Sequence, residues 1–142
     1  MKKQRIEEVR AFNRVYTVFM GILNKSYLKS DFSLVETRVM YAAISKDGIM
    51  PSEIVALLNV DKSYLSRIIA RLEKRRVITK TKSPSDGRSI RLAITEYGRK
   101  EFEKLNQASN IQVEGLLSQL NAKDCELLVK RMSEIRAILE RQ

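Results

Sequence analysis

The sequence predicts a mainly α-helical fold with a small β-hairpin wing: a winged helix-turn-helix flanked by N- and C-terminal dimerisation helices. Three observations predict it. Apolar residues recur at spacings of three and four through most of the chain, one stretch around residues 77–94 switches to alternation, and the polar hexapeptide "SPSDGR" (83–88) interrupts that alternation as a turn does.

Residues 5 to about 28 place Ile6, Val9, Phe12, Tyr16, Phe19, Leu23 and Tyr27 on one stripe, which predicts a first amphipathic helix. Ser33 and Glu36 stand at capping-box spacing and start a second helix near residue 34, with Leu34, Val35, Val39, Met40, Ala43 and Ile44 turned inward and Gly48 marking its exit. In "MPSEIVALLN", Pro51 suits the first helical position, Ile54, Leu57 and Leu58 form the apolar face, and Asn59 ends the helix. After the joint Asn59-Val60-Asp61, "KSYLSRIIARLEKRR" resumes with Asp61 as N-cap. Leu65, Ile68, Ile69 and Leu72 then face the core, leaving Lys62, Ser63, Ser66, Arg67, Arg71, Lys74 and Arg75 outside.

"VITKTK" (77–82) and "SIRLAI" (89–94) read as two half-buried strands, their reversal built on Pro84 and Gly87. Thr95 caps a long helix running to about Leu120. Asn121, with Asp124 three residues on, caps the last helix, whose Leu128, Met132, Ile135 and Leu139 recur at heptad-like spacing. The terminal helices carry more apolar stripe than the central segment can cover. Ile6, Val9, Phe12, Leu128, Met132, Ile135 and Leu139 are therefore assigned to a homodimer interface.

The chain has 142 residues and a net charge of +10. Such a surplus favours a polyanionic partner, nucleic acid before an anionic membrane surface. With no histidine and a single cysteine, Cys125, the chain lacks zinc-ligand clusters, Ser/His/Asp triads and Cys/His pairs. We therefore expect no enzyme, no metal and no cofactor, and assign Cys125 a structural role. No window reaches the length of a membrane span and the amino terminus lacks a signal-peptide core, so a cytoplasmic protein is expected.

Two short helices joined by a tight turn and followed at once by a hairpin form the arrangement in which the second helix enters a DNA major groove. Between Val60 and Leu92 stand ten basic residues and three acidic ones, a surplus of seven out of the total ten, within 33 residues. Arg67 and Arg71, one turn apart on the outer face, suit phosphates or guanine edges, and Ser63, Tyr64 and Ser66 can donate to bases or backbone.

The element order, with "DKSYLSRIIARLEK" (61–74), "DGR" (86–88) and "LAITEYGR" (92–99), resembles the MarR (multiple antibiotic resistance regulator) family of dimeric winged-helix transcription factors over nearly the whole chain. Arg76 stands where that family usually has glycine, and Met50 where it usually has a threonine cap, a role that Pro51 and Glu53 partly take over. The resemblance implies a D-x-R wing in which Asp86 orients Arg88 through a charge-assisted hydrogen bond, and a protruding guanidinium gains from the negative potential of a narrow minor groove.

The DNA-binding set is then Lys62, Ser63, Tyr64, Ser66, Arg67, Arg71, Lys80, Lys82, Asp86 and Arg88. Residues 31–95 are the DNA-binding lobe, with the wing at 77–94, and residues 1–30 with 96–142 the helical dimerisation region. The resemblance also implies a small aromatic or amphipathic effector, for which Phe12, Tyr16, Phe19 and Tyr41 are candidates, although core or dimer packing explains them as well. The expected function is a sequence-specific regulator, a repressor, binding double-stranded DNA as a homodimer on a pseudo-palindromic operator. The alternatives are a non-specific nucleoid-type binder, a dimeric adaptor, or a protein drawn to membranes by charge.

Overall fold

The computed structural model describes residues 1–24 and 26–141. Among them run α1 (Lys2–Phe19), a short 3-10 turn (Tyr27–Lys29), α2 (Leu34–Ser45), α3 (Pro51–Leu58), α4 (Lys62–Lys74), β1 (Ile78–Lys82), β2 (Ile90–Ile94), α5 (Glu96–Leu117) and α6 (Ala122–Leu139). The mainly helical class and the single hairpin agree with the sequence reading.

The first helix is shorter than its periodicity suggested. It stops at Phe19, because Gly21 at φ 64° turns the chain left-handed. The Gly21 N–H then reaches the Val18 carbonyl and the Ile22 N–H reaches that of Thr17, both at 3.0 Å, which is a Schellman ending. Leu23 and Tyr27 thus lie beyond the helix, and Lys25, also within the expected span, lies outside the described residues. A stripe pattern cannot see such a stop, since the apolar spacing continues across it.

Residues 32–105 contain the core. Val39 and Met40 of α2, Ile54 of α3, Leu65, Ile68, Ile69 and Leu72 of α4, and Val77, Ile78 and Leu92 of the hairpin are buried together, joined by Phe32, Ile49 and Leu105. Each such side chain contributes on the order of 1.5–3 kcal/mol of transfer free energy. Leu57, expected to face inward, is 65% exposed. Eight residues give α3 little more than two turns, so Ile54, Val55 and Leu58 suffice to cover its packed side.

The starts of α2, α3, α4 and α6 have local causes. The Ser33 hydroxyl accepts the Glu36 N–H at 3.1 Å while the Glu36 carboxylate accepts the Ser33 N–H at 2.7 Å, the predicted reciprocal cap. At α3 the Glu53 carboxylate accepts the Met50 N–H at 2.8 Å, with Pro51 at the first turn. Asp61 accepts from Tyr64, and Asn121 from Asp124, both at 2.9 Å.

The turn out of α4 closes with Arg76 at φ 59°, the conformation a glycine would adopt without strain. Here the Arg76 N–H donates to the Glu73 carbonyl and the Val77 N–H to that of Leu72, each at 2.9 Å, and buried Val77 and Leu72 lock the ending. β1 and β2 pair antiparallel, Ile78 opposite Ile94 and Lys82 opposite Ile90, and Ile49 adds an isolated bridge to Leu92. The hairpin is thereby fixed to the body at its base while its far end projects.

The Thr95 hydroxyl accepts the Gly98 N–H at 2.9 Å and starts α5, as predicted. The chain divides into two compact units, 1–107 and 108–142, with the boundary inside α5. In the second unit Leu116, Leu117, Leu120, Cys125, Leu128 and Met132 are half-buried, whereas Leu127, Val129, Ile135, Ile138 and Leu139 are exposed.

Candidate nucleic-acid interface

α4 presents one face to the core and the other to solvent. Lys62, Ser63, Tyr64, Ser66, Arg67 and Arg71 all lie on the exposed side, with the N-terminal turn held by the Asp61 cap. The Arg67 guanidinium stands 6.0 Å from the centroid of the Tyr64 ring, the outer limit of a cation–π contact.

The charges of this surface are not equivalent. Arg71 pairs through Nε with the Glu36 carboxylate, 3.4 Å away. Lys80 reaches back from β1 to Glu73 of α4 at 3.5 Å. Arg75, expected on the outer face, is instead half-buried: its guanidinium lies 3.8 Å over the Phe32 ring and donates to the Asp31 carbonyl at 3.0 Å. That stacking removes it from the predicted solvent face and ties the α2 approach to the end of α4. Arg91 is likewise occupied, donating to the Gly48 carbonyl at 3.0 Å. Among the described residues of this surface Lys62, Arg67, Lys74, Arg76, Lys82 and Arg88 carry no ion pair and are exposed, which leaves them available to an external anion.

The wing tip is built around Asp86. Its carboxylate accepts the Arg88 peptide N–H at 3.0 Å and the Ser89 hydroxyl at 2.9 Å, while the Ser89 N–H donates to the Asp86 carbonyl at 3.1 Å. The Arg88 N–H and then the Ser89 hydroxyl hold this carboxyl below the usual aspartate range. The charge-assisted bond expected between Asp86 and Arg88 therefore runs to the backbone, not the guanidinium, and leaves the Arg88 head exposed. Gly87, one of the two residues on which the reversal was expected to be built, does not adopt a positive φ. An Asp side chain closing on the residue two positions later makes the turn with ordinary angles.

Two further contacts hold the elements around the hairpin, one between the end of α2 and α3 and one at the start of α5. The Lys46 ammonium pairs with Glu53, and this bond, ahead of that from the Met50 N–H, depresses the Glu53 carboxyl. The Thr95 hydroxyl, besides capping α5, donates toward the carbonyls of Arg76 at 2.7 Å and Val77 at 3.0 Å. Gly98 packs directly on that junction, a contact behind the glycine of "LAITEYGR" that no spacing rule reveals.

Three of the four aromatic candidates for an effector pocket fall into two separate pairs. Phe12 stacks on Tyr16 along α1 at 5.5 Å between centroids, and Tyr41 stacks on Phe102 of α5 at 6.0 Å. Neither of the two described cavities, one lined by Phe32, Glu36, Arg71 and Arg75 and one by Ile6 and Val9, includes Phe12, Tyr16, Phe19 or Tyr41. Among the described residues no three metal-ligating side chains gather, and no helix is long and apolar enough to cross a membrane.

The segment from residue 32 to residue 90, which spans α2, the turn, α4 and the wing tip, matches the family model described as MarR family. That match is to a segment of rather less than half of the chain, and over it the chain is similar to the MarR family. It is 24% identical over 120 residues to the uncharacterised HTH-type transcriptional regulator YvnA of Bacillus subtilis, covering 81% of this chain and 76% of that protein. Among solved structures, apo wild-type MarR from Escherichia coli superposes with a TM-score of 0.77 at 23% identity, covering 89% of this chain and 94% of MarR. FabT of Streptococcus pneumoniae, solved in complex with DNA, superposes with a TM-score of 0.69 at 23% identity over 98% of both chains. At these identities the superpositions carry the winged-helix fold, and the family resemblance rests on residues 32–90.

Proposed function

We propose that this chain is a MarR-family member, a cytoplasmic DNA-binding transcriptional regulator that acts as a homodimer on a pseudo-palindromic operator, and that it represses by occupying promoter DNA. The observation that carries the reading is the pairing of an exposed cationic α4 face with an Arg88 tip held forward by Asp86. α4 enters a major groove, where Ser63, Tyr64, Ser66 and Arg67 meet base edges and phosphates, and Lys62 and Lys82 meet the backbone. Arg88 reaches the flanking minor groove. FabT, a superposing relative, was solved on DNA, which supports the same partner here.

Homodimerisation draws on apolar side chains left exposed at each end of the chain. In α1 these are Ile6, Val9, Phe12, Val15 and Val18; in α6 they are Leu127, Ile135, Ile138 and Leu139, with Leu128 and Met132 half-buried beside them. A twofold partner covers such faces and sets two α4 helices roughly 34–36 Å apart, one helical turn of DNA. A small aromatic or amphipathic effector acts on this reading by changing that separation. It shifts DNA affinity only by as much as it prefers one spacing over the other.

Titrating the protein against a promoter fragment and a scrambled duplex at several salt concentrations tests the reading. Phosphate contacts give a steep salt slope on both duplexes, and base readout gives a preference of at least about a thousandfold for the former. Equal affinities would make the chain a non-specific nucleoid-type binder instead.

A further inference from the structure

Glu36 does more than cap α2. Its side chain is only 7% exposed, yet it faces a recognition-helix arginine that is 59% exposed. One carboxylate oxygen, Oε2, is spent on the Ser33 N–H, and the other, Oε1, meets Arg71 Nε at 3.4 Å. A buried carboxylate without its counter-charge is costly, so this pair holds the arginine far more firmly than an exposed ion pair would. The ion pair runs through Nε, and among the described residues the two terminal nitrogens of the guanidinium have no hydrogen-bond or ion-pair partner. That free edge is the fork a guanine presents its O6 and N7 to. Arg67 differs in kind: its neighbour is the Tyr64 ring at 6.0 Å, with no carboxylate to fix its direction.

We propose that Glu36 is a specificity-determining residue that aims Arg71 at a base edge, leaving Arg67 as the adaptable contact. The assignment rests on the operator-binding reading above. Arg71 leaves its aimed position for a nearby phosphate only by stripping the buried carboxylate of its partner, so the pair favours one base at one depth and penalises displaced registers. Removing the Glu36 charge frees Arg71 to follow the phosphates of any sequence. Non-specific affinity then rises while discrimination falls, two opposite movements that mere loosening of the fold does not produce.

The test uses a duplex selected from a random-sequence pool by the wild-type protein, and a shuffled duplex of the same composition. Affinities for both are measured across a salt series for the wild type, Glu36→Gln, Arg71→Lys and the double variant, with melting temperatures alongside. Glutamine still accepts the Ser33 N–H, so the cap survives. The expected result is a selected-to-shuffled ratio lowered roughly tenfold in Glu36→Gln, equal or tighter binding to the shuffled duplex, a similar loss of ratio in Arg71→Lys, and no further loss in the double variant. A ratio unchanged by Glu36→Gln, or losses that add in the double variant, overturns the assignment alone. A wild-type ratio near one, or a selection that enriches nothing, overturns the operator reading and the assignment together.

Discussion

The carbonyl oxygen of Val77 stands 2.2 Å from where a Cβ on Gly98 would be, with Ile94 Cδ1 at 2.9 Å from the same point. The first turn of α5 is thus pressed onto the junction between α4 and β1, where the Thr95 hydroxyl also binds the carbonyls of Arg76 and Val77. Gly98→Ala forces backbone to move at the base of the wing. We expect it to destabilise the fold by about 3 kcal/mol, the upper part of the range for overpacking, read as a lowered midpoint in urea unfolding.

Arg76, one residue before Val77, sits at φ 59° and is exposed. Holding a side chain in the left-handed region costs about 1–2 kcal/mol, part of which glycine returns as backbone freedom in the unfolded chain. Arg76→Gly therefore raises stability by about 0.5–1 kcal/mol, which a melting curve detects as an increase of a few degrees in Tm. An unchanged or lower Tm would mean that the Arg76 side chain contributes more than the strain it imposes.

At the wing tip, Arg88→Ala should weaken binding to the operator by about 1–3 kcal/mol in a salt-controlled titration, with no loss of Tm, since the side chain is exposed and makes no hydrogen bond or ion pair among the described residues. Asp86→Ala should weaken binding too, although it removes a negative charge, because the turn that presents Arg88 loses both acceptor oxygens. Stronger binding by Asp86→Ala would show that its charge matters more than its hydrogen bonds.

The depressed Asp86 carboxyl fixes the pH behaviour of that turn. Its stabilising contribution is fully present above the ordinary aspartate value and is lost as the pH falls through the lower folded value. Amide resonances of Arg88 and Ser89 should accordingly stay constant from pH 8 to pH 5 and move only below the usual aspartate range, as an NMR titration would record.

Substitutions on the exposed apolar faces test the dimer without touching a protomer core. Val9→Asp and Leu139→Asp alter side chains 68% and 61% exposed. Because a twofold interface counts each change twice, each should weaken dimerisation by about 3 kcal/mol or more, roughly a hundredfold in Kd by sedimentation equilibrium.

Much of the fold was legible because its causes are local. The Ser33/Glu36 box, the Asp61, Thr95 and Asn121 caps, and the Leu65/Ile68/Ile69/Leu72 stripe are each written within a few residues, and each is observed. The stop at Phe19 was missed although Gly21 was visible, since the apolar spacing runs on past it and a lone glycine carries less weight than a continuing stripe. At the candidate interface the exposed face of α4 followed from the same periodicity. What escaped was pairing at a distance: Glu36 with Arg71, Arg75 with Phe32, and Gly98 with Val77 are separated by 35, 43 and 21 positions. Such pairs are decided by how helices cross, which no window of sequence contains.

The most direct test of the account is a footprint of the purified protein on a bound duplex, combined with the stoichiometry of the complex. Two chains per duplex protecting two inverted half-sites about 10–10.5 base pairs apart, with cleavage in the flanking minor grooves restored by Arg88→Ala, is the predicted result. One chain per duplex, or protection without fixed position, would contradict it.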